Sequence, residues 1–169
     1  YGRWNPGIVI GSERGGKMRK FVIGCDNAAV ELKEILKDFL LKNGAEVEDV
    51  GCSDSKDPTN YPTIAERACR IIADSGFEKR GVLVCGTGVG MCIAANKCKG
   101  IRAAVGHDSF SAQRSILSNN GNVLCFGARV IGPELAKTIL GEWISLEYVD
   151  GPSTPKVQEI LAMEARYMC

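Results

Sequence analysis

The sequence predicts an α/β domain, a five-stranded parallel sheet with helices on both faces. Three observations predict it. Short apolar runs alternate five times with longer stretches whose apolar residues recur at helical spacing. The links between them are short and rich in Gly, Asp, Asn and Pro. One run, Gly81-Val82-Leu83-Val84-Cys85, is apolar almost throughout, as a strand buried on both faces must be. Right-handed crossovers between parallel strands then put helices on each side of the sheet.

The elements follow in order. Phe21 to Cys25 reads as the first strand, ended by Asp26 and Asn27. Leu32, Ile35, Leu36, Phe39 and Leu40 mark one face of a helix that Gly44 stops. Glu46 to Val50 is the second strand. A polar loop leads to Tyr61, and Pro62 suits the first turn of a helix whose inward face is Ala65, Ala68, Ile71 and Ile72. After Gly81 to Cys85 and a run of glycines, Met91 to Asn96 reads as helix. Ile101 to Val105 is the fourth strand, followed by helix through about Leu117. Asn122 to Phe126 is the fifth. Pro133 opens a helix carrying Leu135, Ile139, Leu140 and Trp143, and a last helix has Val157, Ile160, Leu161 and Ala165 on one side. That helix is surplus to a five-strand unit and is expected to pack on a second subunit.

A length of 169 residues suits one domain. Residues 1–17, rich in Gly and Arg, read as a leader that is poorly ordered or foreign to the domain at 18–169, although Ile8-Val9-Ile10 is a short β-like run. A net charge of +1 gives no reason to propose a nucleic-acid or membrane surface. No apolar stretch approaches the ~20 residues of a membrane span. The eight cysteines, at 25, 52, 69, 85, 92, 98, 125 and 169, show no Cys-x-x-Cys pair, and one histidine leaves little scope for a zinc set. They read as reduced thiols, and the compartment as cytoplasmic.

Ligands of open parallel sheets sit beyond the carboxyl ends of the strands, here the loops beginning at Asp26, Gly51, Cys85, Gly106 and Gly127. Cys85-Gly86-Thr87-Gly88-Val89-Gly90-Met91 is the most informative of these. Alternate glycines let the backbone approach a ligand and turn amides inward at a helix start, which favours an anion. A phosphate would fit, and so would the enediolate left when a carbonyl compound loses an α-proton. The loop lacks the Lys-Ser/Thr ending of a P-loop, and its place after the third strand is wrong for a dinucleotide fingerprint. Cys85, facing those amides, could be a general base on a carbon acid or one more core thiol.

These residues and those around them resemble the ribose-5-phosphate isomerase B family, which includes allose- and galactose-6-phosphate isomerases. The resemblance runs from about Met18 to Ile160. It rests on Gly24-Cys-Asp-Asn-Ala-Ala29 with Glu31-Leu-Lys33, Asp49-Val-Gly51, Tyr61-Pro62 and the Cys85 to Met91 loop. It continues in Ile93-Ala-Ala-Asn-Lys97, Gly100-Ile-Arg-Ala-Ala104, His107-Asp108, Phe110-Ser-Ala112, Asn122-Val-Leu124 and Gly127 to Ala136. The resemblance implies a Rossmann-like homodimer, with a tetramer as the alternative, that interconverts aldose and ketose phosphates without metal, nucleotide or other cofactor. It implies Cys85 as the base moving a proton between C2 and C1, with Thr87 and the amides of Gly86, Gly88, Val89 and Gly90 holding the cis-enediolate. Asp26 and Asn119 match positions that hold sugar hydroxyls, and Arg129 matches a phosphate-binding arginine. Two subunits would complete each site.

The sequence departs from the family at several places. Asn27 stands for a phosphate-contacting histidine, able to donate a hydrogen bond but uncharged. Ser118 replaces a histidine that helps open the sugar ring. Pro152 and Ser153 replace an Arg-His pair, leaving Lys156 as a nearby cation. His107, the one histidine, lies in the loop after the fourth strand, open to a substrate contact, a part in ring opening or a local hydrogen bond. The expected reaction is ribose 5-phosphate to ribulose 5-phosphate. The alternatives are a six-carbon sugar phosphate, or a sugar-phosphate-binding protein that has lost turnover.

Overall fold

The computed structural model describes residues 18–168; the leader read at 1–17, with its Ile8-Val9-Ile10 run, lies outside them. Eleven elements follow one another: β1 (Lys20–Cys25), α1 (Val30–Lys42), β2 (Glu46–Asp49), α2 (Tyr61–Asp74), β3 (Arg80–Cys85), α3 (Val89–Ala95), β4 (Ala103–Val105), α4 (Ser109–Leu117), β5 (Val123–Gly127), α5 (Pro133–Ser145) and α6 (Thr154–Tyr167). The five strands form one parallel sheet in the order β2-β1-β3-β5-β4. From β1 the chain steps outward to β2, then returns to the other side of β1 for β3. The order therefore reverses between β1 and β3, and a crevice opens there at the carboxyl edge.

The register brings the strand ends level. Cys25 pairs with Val84, and Cys85 with Gly127. Val82, Leu83 and Val84 are fully buried, with α1 and α5 packed together on one side and α2 and α3 on the other, α1, α2 and α3 meeting β3 directly. Trp143 of α5 fills the core, its Nε1 donating to Ser115 Oγ at 3.1 Å. Arg80 stacks on that indole at 4.8 Å and donates to the carbonyls of Ile144 and Leu146, closing the C-terminus of α5. Burial pushes this guanidinium down to about 10, so it stays charged at neutral pH.

Two readings change. Leu135 is exposed, and Ala136 takes the inward place on α5. The fourth strand begins at Ala103 rather than Ile101, because side chains take up the preceding backbone. Asn122 Oδ1 accepts from Arg102 N at 2.8 Å, and Asn96 Oδ1 from Ala103 N at 2.9 Å.

Lys33 is a charged residue inside the fold, 1% exposed. Its Nζ donates to Asp49 Oδ2 at 2.8 Å, to Glu34 Oε1 at 2.7 Å and to the carbonyl of Cys52 at 3.1 Å, tying α1 to the loop after β2. Burial alone would raise the Asp49 carboxyl. Hydrogen bonds from Lys33, Lys37 and the Gly51 amide outweigh it and hold the group below the ordinary aspartate range. Lys33→Met is expected to cost about 2 kcal/mol in urea unfolding, since it takes the ammonium donor from the Cys52 carbonyl and leaves Asp49 and Glu34 to share Lys37. A folded pKa below the unfolded one means that the stability gained at Asp49 is present above the ordinary aspartate pKa. It is lost as pH falls through the folded value. The difference between Lys33→Met and the parent should narrow there.

α6 stands largely clear of the domain. Val157 is its one buried residue among those described, and Glu164 Oε1 accepts from Gly100 N at 2.6 Å. Ile160, Met163 and Tyr167 are exposed. No helix among the described residues is long and apolar enough to cross a membrane, and the seven described cysteines are free.

Candidate active site

The loop after β3 turns sharply into α3. Gly88 sits at φ +76°, a left-handed conformation that glycine adopts without penalty, and its amide is thereby turned back on the strand end. It donates to Cys85 Sγ at 3.2 Å, giving the sulfur a backbone donor. Cys85 itself is 4% exposed, at the bottom of the crevice. Thr87 is exposed above it, and the Val89 amide lies 3.4 Å from Thr87 Oγ1.

The end of β5 forms the floor beside it. A methyl on Gly127 would lie 2.6 Å from the carbonyl carbon of Thr87, so the two backbones touch. Ala128 N donates to the Cys85 carbonyl at 2.9 Å and Arg129 N to that of Gly86 at 3.0 Å. The Arg129 side chain then runs along Gly86, with Cδ, Nε and Nη1 each 3.7 Å from where a methyl there would sit. Across the crevice, Asp26 Oδ1 accepts from Ala28 N at 3.1 Å. Burial raises the Asp26 carboxyl, and the Ala28 amide and the Arg129 charge offset part of that rise. Asn27, beside it, is exposed.

His107 reaches this floor from the loop after β4, its Nε2 accepting from the Gly127 amide at 2.9 Å. Burial lowers its pKa and Asp108 opposes the shift. Tyr61, which the sequence places only at a helix start, packs its ring over Gly90 and is 40% exposed. A large aromatic facing a glycine of the ligand loop is a contact that topology creates and local pattern does not announce.

The candidate residues thus fall into two groups. Asp26, Asn27, Cys85, the Gly86 to Gly90 loop, His107 and Arg129 all lie at the carboxyl edge. Asn119 does not. It follows α4, which carries the chain back to the amino edge, where Asn120 to Asn122 lead into β5. There its Nδ2 donates to the Arg114 carbonyl at 3.3 Å, and the Arg114 guanidinium donates to Ser118 Oγ. The segment holding Pro152 also leaves from the amino edge, where Arg80 binds Leu146. One chain cannot bring Asn119 to Cys85. A cavity of about 510 Å³ at the amino edge, lined by Arg19, Arg80 and Arg102, has no share in this chemistry; Arg80 and Arg102 are turned to backbone carbonyls. No group of three or more His, Cys, Asp or Glu among the described residues could hold a metal ion.

A doubly wound parallel sheet with a thiol, an amide-lined turn, a carboxylate and a guanidinium at its switch point defines an enzyme of small anionic metabolites. Comparison makes the class particular. Residues 21–160 match the Ribose/Galactose Isomerase family. The chain is 48% identical over 143 residues to the D-erythrulose-4-phosphate isomerase of Pectobacterium atrosepticum, covering 85% of this chain and 93% of that one. It is 43% identical over 149 residues to ribose-5-phosphate isomerase B of Escherichia coli, covering 88% and 99%. The solved ribose-5-phosphate isomerase B of Clostridium thermocellum superposes with a TM-score of 0.83 at 37% identity, over 88% of this chain and 99% of that one. The chain belongs to the ribose-5-phosphate isomerase B family and is a sugar-phosphate aldose–ketose isomerase.

Proposed function

We propose that Cys85 is the general base of this isomerase and that its substrate is a four-carbon sugar phosphate, D-erythrulose 4-phosphate and its aldose. The Cys85 thiolate takes the C2 proton of the aldose and returns it at C1. Thr87 and the loop amides stabilise the intervening enediolate. Asp26 holds hydroxyls, Arg129 binds phosphate, and a second copy of the chain brings Asn119 and Lys156 to the crevice. The observation that carries the base is the Gly88 amide, which donates to the Cys85 sulfur at 3.2 Å at the sheet edge that also carries Asp26 and Arg129.

Ser118 favours the short substrate. Ribose 5-phosphate has a free oxygen on C4 and closes to a furanose, which an isomerase must open. In a tetrose 4-phosphate that oxygen carries the phosphate, and the oxygen on C3 could close only a strained four-membered ring. The substrate stays open, and a serine at the ring-opening position loses nothing. The Pectobacterium relative, by its name, acts on such a substrate. Ribose 5-phosphate, the reaction expected from the sequence, is the second reading, and the Escherichia coli relative favours it.

Assays on both substrates decide. The four-carbon pair should be converted with kcat/KM about a hundredfold or more above that for ribose 5-phosphate, the scale of a missing acid–base group. Ser118→His should raise ribose 5-phosphate turnover and leave the four-carbon reaction nearly unchanged. Equal or better use of ribose 5-phosphate by the parent protein would overturn the four-carbon assignment.

A further inference from the structure

We infer that His107 is a positioning residue of the active site, anchoring the end of β5 through the Gly127 amide instead of meeting the substrate. The inference rests on the proposed roles of Cys85 and Arg129. It begins with a gap in the sheet. β5 lies between β3 and β4, so its backbone needs partners on both sides. β4 ends at Val105, opposite Cys125, and its last ladder bond is from Gly106 N to the Cys125 carbonyl at 3.0 Å. Gly127 N, two residues on, has run past the end of β4. The His107 side chain fills that place, with Nε2 at 2.9 Å.

What this bond holds is the floor of the site. The amides of residues 127, 128 and 129 are spent in succession on His107 Nε2, the Cys85 carbonyl and the Gly86 carbonyl. The first of them anchors the turn that delivers the Arg129 side chain along Gly86. The same glycine supports the Thr87 backbone. Without an acceptor at 107 a buried amide is left unpaired where the base, the enediolate loop and the phosphate ligand meet.

The accepting nitrogen carries no proton, so His107 is neutral with its hydrogen on Nδ1. His107 is the sole histidine of the chain, so the imidazole resonances of the protein need no assignment. Nitrogen-15 spectra of histidine-labelled full-length protein, without substrate, should show the Nδ1–H tautomer at pH 7. An Nε2–H tautomer or an imidazolium would overturn the inference whatever the substrate proves to be. Kinetics supply the second arm, on whichever sugar phosphate the protein converts. His107→Leu should lower kcat/KM about tenfold or more, chiefly through KM as Arg129 shifts, and lower the thermal midpoint by a few degrees while the protein stays folded. His107→Gln, whose amide oxygen can accept from Gly127, should stay within about threefold of the parent. A glutamine variant as impaired as the leucine one would mean that the imidazole itself meets the substrate, and would overturn the positioning role. Failure of the Cys85 assignment would show separately, as turnover surviving in a Cys85 variant.

Discussion

Cys85→Ala is expected to lower isomerisation about a thousandfold or more while the protein stays folded. Sγ is the one atom removed, from a site at the mouth of the core, so the stability cost is about 1 kcal/mol. Cys85→Ser should be nearly as inactive, because a serine hydroxyl without its own base holds its proton at neutral pH. Exchange supplies a second readout. In heavy water the parent should place solvent deuterium in the product as the enediolate is reprotonated, and the variants should not. Substitution tests the base better than alkylation does. Burial pushes the thiol of Cys25, level with the site on β1, up to about 12, which removes it as a base. Cys92, half-buried on α3, is brought down to about 7, chiefly by its contact with the Cys125 thiol, and should react with alkylating agents readily. Inactivation by such a reagent would not distinguish the two sulfurs. Turnover retained in Cys85→Ala would sink the assignment.

The parts of this site legible in the sequence are those fixed by local chemistry. Strand ends announce themselves where Val84-Cys85 meets glycine and where Cys25 meets Asp26, and alternation of strand and helix places those ends on one edge. Strand order was less accessible. Nothing local says that β5 inserts between β3 and β4, although fully buried Val123 to Phe126 suit an inner strand and half-buried Ala103 to Val105 an outer one. Lys33 lies between apolar positions of α1, and a lysine there reads as solvated until Asp49 and the Cys52 carbonyl are seen beneath it. Asn119 is the instructive case. The resemblance puts it on the substrate, while the direction of α4 puts it at the opposite edge from Cys85 in its own chain. Both hold if a second copy closes the site. The exposed apolar residues of α6, Ile160 and Met163, are in keeping with that arrangement. The job of His107 depends on a rotamer and on where β4 stops, and neither is written in residue spacing.

Gly127→Ala is expected to have the second large effect, through the backbone rather than through any functional group. A methyl there would sit 2.6 Å from the carbonyl carbon of Thr87, 2.7 Å from its oxygen and 2.8 Å from its Cα. All three are main-chain atoms, so no side chain can rotate away, and β5 must part from the loop after β3. Overpacking of this kind costs about 2 kcal/mol, measurable in urea. Activity should fall further than stability, by a hundredfold or more in kcat/KM, because the parting moves Thr87 and Gly88 relative to Cys85 and loosens the Arg129 turn together. Gly88 meets the same surface from the other side, its absent methyl 2.9 Å from the Phe126 carbonyl carbon. Gly132, five residues beyond Gly127, is the control. It has ordinary backbone angles and no atom within 4 Å of a methyl, so Gly132→Ala should cost about 1 kcal/mol at most, from weaker capping of α5, and leave turnover intact. A fully active Gly127→Ala would mean that the enediolate loop does not depend on its seat against β5. Catalysis would then have to draw its geometry from α3.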